Sequence, residues 1–511
     1  MAEISDSKKT LRLNNTDNVV VARADLARNT LIEEESIVLK DDVPVGHKVA
    51  TTNIKKGEPV RKYDQIIGFA LSDIEAGCHV HTHNLEFKDF QRDYAYASAS
   101  SETRYVPESE RATFDGFVRA DGRVGTRNYI GILASVNCSN SVARQISDCF
   151  MGDALKAFPN VDGVVALPHQ TGCCIPLDAH THSNLERTIA GYIRHPNFAG
   201  VLLIGLGCEV AQIDNLVQKQ NLERSEKFRT MVIQEIGGTA KTVATGKQYV
   251  LEMLEIANSA ARVRRPASDL IIGLECGGSD AFSGITANPA LGVASDLIVS
   301  QGGTVILGET PEIYGAEHLL TQRGKNREVC EKLIERIRWW EQHTRSHNAR
   351  MDNNPTPGNK KGGLSTILEK SLGAVAKGGT SRLMDVYEYA EPVTTKGLVF
   401  MDTPGYDPCS ITGFVAGGAN VVCFTTGRGS VYGCKPVPSI KLATNTPLYE
   451  NMKDDMDINC GVIADGHKSI GETGDEIFRM ILETASGRYT RSEIHGIGDL
   501  EFVPWQISAV L

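Results

Sequence analysis

The sequence predicts an α/β protein: a small β-rich module at the N-terminus, followed by two α/β regions with mainly parallel sheets. Three observations predict it. Short β-prone runs fill residues 15–84, apolar runs alternating with helix-like segments begin at Tyr129, and the same alternation returns in the C-terminal half. Apolar runs that lead through a loop into a helix-like stretch mark strands buried on both faces by crossover helices.

The bulk numbers agree with a folded, multi-domain chain. At 511 residues the chain exceeds what one hydrophobic core organises, and 41% apolar residues with 49 glycines indicate a globular, loop-rich molecule. Lys and Arg total 53 against 63 Asp and Glu, a formal charge of -10. That balance disfavours nucleic acid and anionic membrane as partners and leaves a small molecule held by local charge. The opening MAEISDSKKTLRLNN has no apolar signal core, and no stretch approaches the roughly 18 apolar residues of a membrane span. A cytoplasmic location is therefore expected. Twelve cysteines without a CxxC pair then read as thiols, metal ligands or small buried apolar groups rather than disulfides.

Residues 1–96 form the β-rich module. Val43-Pro44-Val45-Gly46, Ile54-Lys55-Lys56-Gly57 and Ile74-Glu75-Ala76-Gly77 repeat an apolar-x-x-Gly pattern. The next strand puts His79, His81 and His83 on one face, either to present imidazoles or as an ordinary polar face. Residues 97–111, small and charged, read as a linker. Residues 112–265 form the first α/β region, the break Arg262–Ala267 marks the next boundary, and residues 266–511 form the second. A helix-like stretch covers 323–350, and 354–363 read as an irregular loop.

Four predicted strands end in cysteine loops: 130–136 before Cys138, 164–167 before His169 and Cys173, 201–204 before Cys208, and 270–274 before Cys276. The cysteines lie 35, 35 and 68 residues apart, close to one, one and two βα units. They are expected to converge at a carboxyl sheet edge, where open α/β folds bind ligands.

The loop from Cys276 to Pro289 is dense in polar groups. Its glycines let backbone N–H groups approach an anion, while Ser279, Asp280, Ser283, Thr286 and Asn288 offer donors and acceptors for vicinal hydroxyls. A tight turn alone explains the glycines but not that density. Thr425-Thr426-Gly427-Arg428-Gly429 lacks the spacing of a nucleotide loop, but an Arg between glycines suits a carboxylate. His47 and Lys48, adjacent in the module, are either a base and an anion anchor or a solvated pair.

Together these segments resemble the altronate/galactarate dehydratase family over nearly the whole chain. The residues that carry the likeness are Gly46-His47-Lys48, Gly205-Leu206-Gly207-Cys208-Glu209, Cys276–Asp280 with Ser283–Pro289, Pro357-Gly358-Asn359-Lys360 and Thr426–Gly429. The resemblance implies an N-terminal β-clip of the SAF type, a requirement for Fe2+ or a similar metal such as Mn2+, and formation of a 2-keto-3-deoxy sugar acid. Residues 79–84, 194–197 and 315–317 resemble the altronate branch, whereas 161–165 and 456–459 resemble the galactarate branch. D-altronate is the first expectation, with galactarate or sulfite elimination from a sulfo-acid as alternatives. A sugar-acid or iron-binding sensor is the reading outside enzymes. The doublet Cys173-Cys174 departs from the usual single cysteine.

Dehydration takes a C2 proton and expels C3 hydroxide, work for a Lewis acid and a general base. The expected catalytic set is His47, Lys48, Glu209 and Arg428, with His47 moving protons. Substrate contacts are assigned to Ser279, Asp280, Ser283, Thr286, Asn288, Asn359, Lys360 and Thr426. Cys138, His169, Cys173, Cys208 and Cys276, with His79 and His81, are the metal candidates, either for mononuclear iron or for an iron–sulfur cluster. A homodimer is left open.

Overall fold

The computed structural model describes residues 8–90, 92–177 and 179–507. The N-terminal module is built of antiparallel sheets. One orders Thr10–Leu11, Val19–Ala22, Lys48–Ala50 and His79–Val80, and a second orders Pro59–Lys62, Gln65–Ala70 and Leu85–Glu86. The repeated apolar-x-x-Gly pattern has a local cause. Gly46, Gly57 and Gly77 adopt φ of 80°, 82° and 86°, a left-handed turn that a side chain resists.

The middle region carries a four-stranded parallel sheet, in the order Gly163–Leu167, Tyr129–Ala134, Phe198–Gly205, Phe228–Val232. The segment read as a break at 262–267 instead contains the strand Val263–Pro266, paired antiparallel with Thr113–Val118. The pairing ties the entrance of this region to its exit. Residues 97–111 run over the C-terminal region, with backbone bonds from Ala97 N to Thr321 O and from Val106 N to Ser300 O.

The C-terminal sheet has seven parallel strands, ordered Leu383–Tyr387, Gly397–Met401, Thr304–Leu307, Ile271–Cys276, Val421–Thr426, Ser439–Ala443, Ile458–Asn459. From Ile271–Cys276 the chain first fills one side of the sheet and then crosses to Val421–Thr426 to fill the other. That reversal opens a crevice between the two loops at their carboxyl ends. Those are the polar loop 276–289 and the Arg428 loop.

The helix-like stretch folds as Arg327–Ser346, capped by Asn326. The presumed irregular loop after it contains the helix Pro357–Lys361, with Pro at its start and a Thr356/Asn359 capping box. Among the described residues no helix is long and apolar enough to cross a membrane.

Candidate active site

The N-terminal module docks on the C-terminal crevice and leaves a cleft of about 820 Å³, lined among others by Pro44, Asp280, Lys361, Arg428 and Asn445. Arg428 is exposed on its wall. The loop beneath is held by Asp280, which is buried with both carboxylate oxygens occupied. Ser283 N and Oγ donate to Oδ1 at 2.9 and 3.1 Å, Thr444 Oγ1 donates to Oδ1 at 2.9 Å, and Asn445 Nδ2 donates to Oδ2 at 3.0 Å. Burial pushes the Asp280 carboxyl up, and these donors oppose the shift. Gly427 packs so closely that a Cβ there would overlap the Asp280 carboxylate.

The other polar residues of the loop also spend their groups on the protein. Asn288 Nδ2 donates to Gly373 O at 2.9 Å while its Oδ1 accepts from Thr425 Oγ1 at 2.7 Å. Thr286 Oγ1 donates to Thr444 O at 2.6 Å, Thr426 Oγ1 accepts from Gly429 N at 3.0 Å, and Asn359 Nδ2 donates to Ser279 O at 2.8 Å. Of the residues expected to contact substrate, Asp280, Ser283, Thr286, Asn288, Asn359 and Thr426 thus shape the loops, Ser279 lends its backbone carbonyl, and Lys360 stays half-buried.

Lys48 is sealed rather than catalytically exposed. Its Nζ donates to Gly363 O at 2.7 Å and to Glu369 Oε2 at 2.8 Å, and Lys62 Nζ donates to Glu369 Oε1 at 2.9 Å. Side-chain exposure of Lys48 and Glu369 is 0%, so this ion cluster clamps the module to the C-terminal region. Burial works against charge on Glu369, but Lys48 and Lys62 outweigh it and hold the carboxyl far below its usual range.

His47, beside Lys48, has a different setting. Its Nδ1 lies 2.9 Å from His79 Nε2, and ring nitrogens of His47, His79 and His81 lie within 4.8 Å of one another. Two nitrogens bound at right angles to one ion, with bonds near 2.1 Å, would be about 3 Å apart. His81 Nδ1 is buried with no hydrogen-bond partner. Burial chiefly lowers all three imidazoles, His79 to about 4 and His81 to about 3, which favours the neutral, metal-ligating form at neutral pH. The donor set fits a divalent transition metal. His47 Nε2 is 3.4 Å from Lys361 O, and Lys361 lines the cleft.

The expected convergence of four cysteines is only partly met. Cys138, Cys173 and Cys208 follow three adjacent parallel strands and are exposed; slight desolvation and then the neighbouring Cys138 and Cys208 thiols raise the Cys173 thiol. Backbone bonds from Asn137 N to Thr171 O and from Val210 N to Cys173 O tie their loops together. Cys276 belongs to the other sheet and is buried against Lys377, whose Nζ lies 3.0 Å from its Sγ. The spacing counted βα units but could not register that the strand ending in Cys276 belongs to a new sheet.

His169 is also unavailable as a ligand. Its Nε2 bonds to Ala134 O at 2.9 Å, which requires the proton there, and its Nδ1 accepts from Thr171 N at 3.3 Å. Glu209 is buried and braces the Cys208 loop, accepting from Ser135 Oγ at 3.0 Å, Leu206 N at 3.1 Å and Gly207 N at 2.6 Å. Both residues position thiols rather than meeting the cleft.

Sequence reasoning missed Lys62, Glu369, Lys361 and the Thr444/Asn445 pair. Only the Thr356-x-x-Asn359 cap, which presents Lys361, had a readable local signal.

A small β-module closed over strand-end loops, with an exposed guanidinium on the cleft and three metal-competent imidazoles reaching it through Lys361, suits a lyase acting on an anionic substrate. Residues 8–88 match the altronate/galactarate dehydratase SAF domain, 116–258 the D-galactarate dehydratase/altronate hydrolase second domain, and 267–510 the D-galactarate/altronate dehydratase C-terminal domain. Altronate dehydratase of Bacillus subtilis (strain 168) is 37% identical over 96% of this chain and 98% of its own. Galactarate dehydratase (L-threo-forming) of Escherichia coli (strain K12) is 38% identical over 94% and 93%. The beta subunit of (2R)-sulfolactate sulfo-lyase from Chromohalobacter salexigens is 32% identical over 78% of this chain and 98% of its own. The chain belongs to the D-galactarate/altronate dehydratase family.

Proposed function

We propose that this chain dehydrates a sugar acid, D-altronate first, to a 2-keto-3-deoxy acid. The observation that carries the reading is the cluster of His47, His79 and His81 beside a cleft that also presents Arg428. Matches to altronate dehydratases across almost the entire chain support the substrate class, and the galactarate dehydratase match keeps galactarate as the alternative.

His47, His79 and His81 would hold Fe2+, or Mn2+ in its place, which supplies Lewis acidity toward substrate oxygens. His47 is in this reading a ligand and not the proton carrier, because its Nδ1 faces His79 rather than the cleft. Arg428 binds the substrate carboxylate through paired N–H donors, next to the negative charge that develops when C2 loses its proton. The Lys361 amine, also on the cleft, takes the C2 proton and passes it to the hydroxyl leaving C3, so that one water departs and the proton count closes. The Asp280 hub fixes the floor, so that these groups need no rearrangement at the moment of reaction.

A second arrangement would use Cys138, Cys173 and Cys208, whose loops follow three adjacent strands and whose soft thiols suit an iron–sulfur cluster. Iron without acid-labile sulfide in anaerobically purified protein supports the imidazole site; iron with matching sulfide moves it to the thiols. Turnover is tested on D-altronate, galactarate and sulfolactate after chelation and Fe2+ addition. Keto acid from D-altronate is expected. Product from sulfolactate alone, or sugar-acid binding without product, overturns the reading.

A further inference from the structure

Beneath the cleft floor lies a second group of ionisable side chains that the proposed reaction does not use. Glu275 ends the strand Ile271–Cys276, Glu309 follows Thr304–Leu307, and Asp407 opens the helix after Gly397–Met401. Those three strands are neighbours in the sheet. One oxygen from each carboxylate lies within 4.8 Å of the other two.

This is more than an acidic cluster. Glu309 is 1% exposed, and no donor group of the fold bonds either of its carboxylate oxygens, its close neighbours being the Glu275 carboxyl and, at 3.6 Å, Lys377 Nζ; Glu275 Oε2, fully buried, has no donor either. Glu309 also holds a left-handed backbone, φ 60° and ψ 68°, unfavourable for a residue with a Cβ and characteristic of functional positions. An uncompensated buried carboxylate is costly, so an array like this needs a counter-charge or a proton.

The charge balance indicates which. Four carboxylates, Glu275, Glu309, Glu312 and Asp407, share the region with two ammonium groups, Lys370 and Lys377. Lys370 is paired with Glu312, while Lys377 lies 3.6 Å from Glu309 and closer to Cys276. With the thiol neutral, one divalent cation cancels the excess. Burial pushes the Glu275, Glu309 and Asp407 carboxyls up, so each needs either a proton or a nearby cation.

We infer that Glu275, Glu309 and Asp407 form a second cation site, for a hard divalent ion of the Mg2+, Mn2+ or Ca2+ class. All-oxygen donors select such ions, whereas the three imidazoles select a transition metal. The ion pins three adjacent strand ends under the loop 276–289, and so holds the Asp280 hub and the cleft floor in register. Its role is positional: it touches no substrate.

The test separates this site from the imidazoles. Chelator-stripped full-length protein carrying both His79→Ala and His81→Ala is titrated with Mn2+, and bound ion is read by electron paramagnetic resonance. Tight Mn2+ binding without nitrogen coupling is expected, together with a rise in melting temperature. Adding Glu309→Gln should weaken that binding at least tenfold and remove the rise. Asp407→Asn, at a less buried position, should do the same if the Glu309 variant fails to fold. No Mn2+ bound to the double histidine variant, or binding that Glu309→Gln and Asp407→Asn leave unchanged, overturns the inference and assigns Glu275 and Glu309 a shared proton. Nitrogen coupling retained in the double variant also overturns it. Loss of the imidazole metal affects turnover but not this result.

Discussion

At the scale of single residues, the side chains near the cleft divide by whether their polar groups are already spent. Asp280, Asn288, Thr286 and Asn359 are matched by protein partners, whereas the Arg428 guanidinium is exposed with no hydrogen-bond partner among the described residues. A charge-assisted bond to a ligand contributes about 1.5–3 kcal/mol. Arg428→Ala is therefore expected to raise KM for the sugar acid by roughly tenfold or more, with the melting temperature unchanged; steady-state kinetics beside a thermal melt checks both. Arg428 was legible because an arginine between glycines has few structural uses. Lys48 was ambiguous because burial is not a local property: the same Gly-His-Lys triplet suits a solvated loop or a sealed ion pair.

At the scale of elements, three loops and one helix decide the site. The helix Ile367–Val375 brings Glu369 to Lys48 and Lys62 across more than three hundred residues of sequence. Removing that carboxylate leaves two ammonium groups buried without a partner, and breaking a buried pair typically costs about 3–5 kcal/mol. Glu369→Ala is expected to lose stability of that order and to free the N-terminal module, seen as rapid proteolysis between residues 88 and 113. The cysteine loops teach a complementary point. Their positions after strands were readable from periodicity, and three follow neighbouring strands of one sheet. The departure of Cys276 followed from sheet order, which spacing does not encode.

At the scale of the whole molecule, buried neutral histidines set the response to acid. His169, lowered to about 4, and His195, lowered to about 3, each donate from Nε2 to a backbone carbonyl and accept at Nδ1 from the N–H two residues on. His79 and His81 are lowered as well. In the unfolded chain these imidazoles take up protons near pH 6.5, whereas the folded chain resists until about pH 4 or 3. Between those limits the unfolded state binds more protons. Their contribution is thus complete above about pH 6.5 and is lost as pH falls toward 4. Urea midpoints of the metal-free protein should fall steadily across that window, and a His195→Gln variant should show a shallower fall. An unchanged midpoint from pH 7 to pH 4.5 would contradict the assignment.

The sequence by itself determined the strands, the turn glycines, the polar loops and the family, because each is written in short-range periodicity or a contiguous motif. Tertiary structure alone decided that His47 meets His79 and His81, that Lys48 is sealed by Glu369, and that Cys276 parts from the other thiols to join Glu309 and Glu312. The physical reason is that strand order and domain docking arise from pairings between distant segments. Those pairings determine which side chains lose their water, and with it which remain free for chemistry.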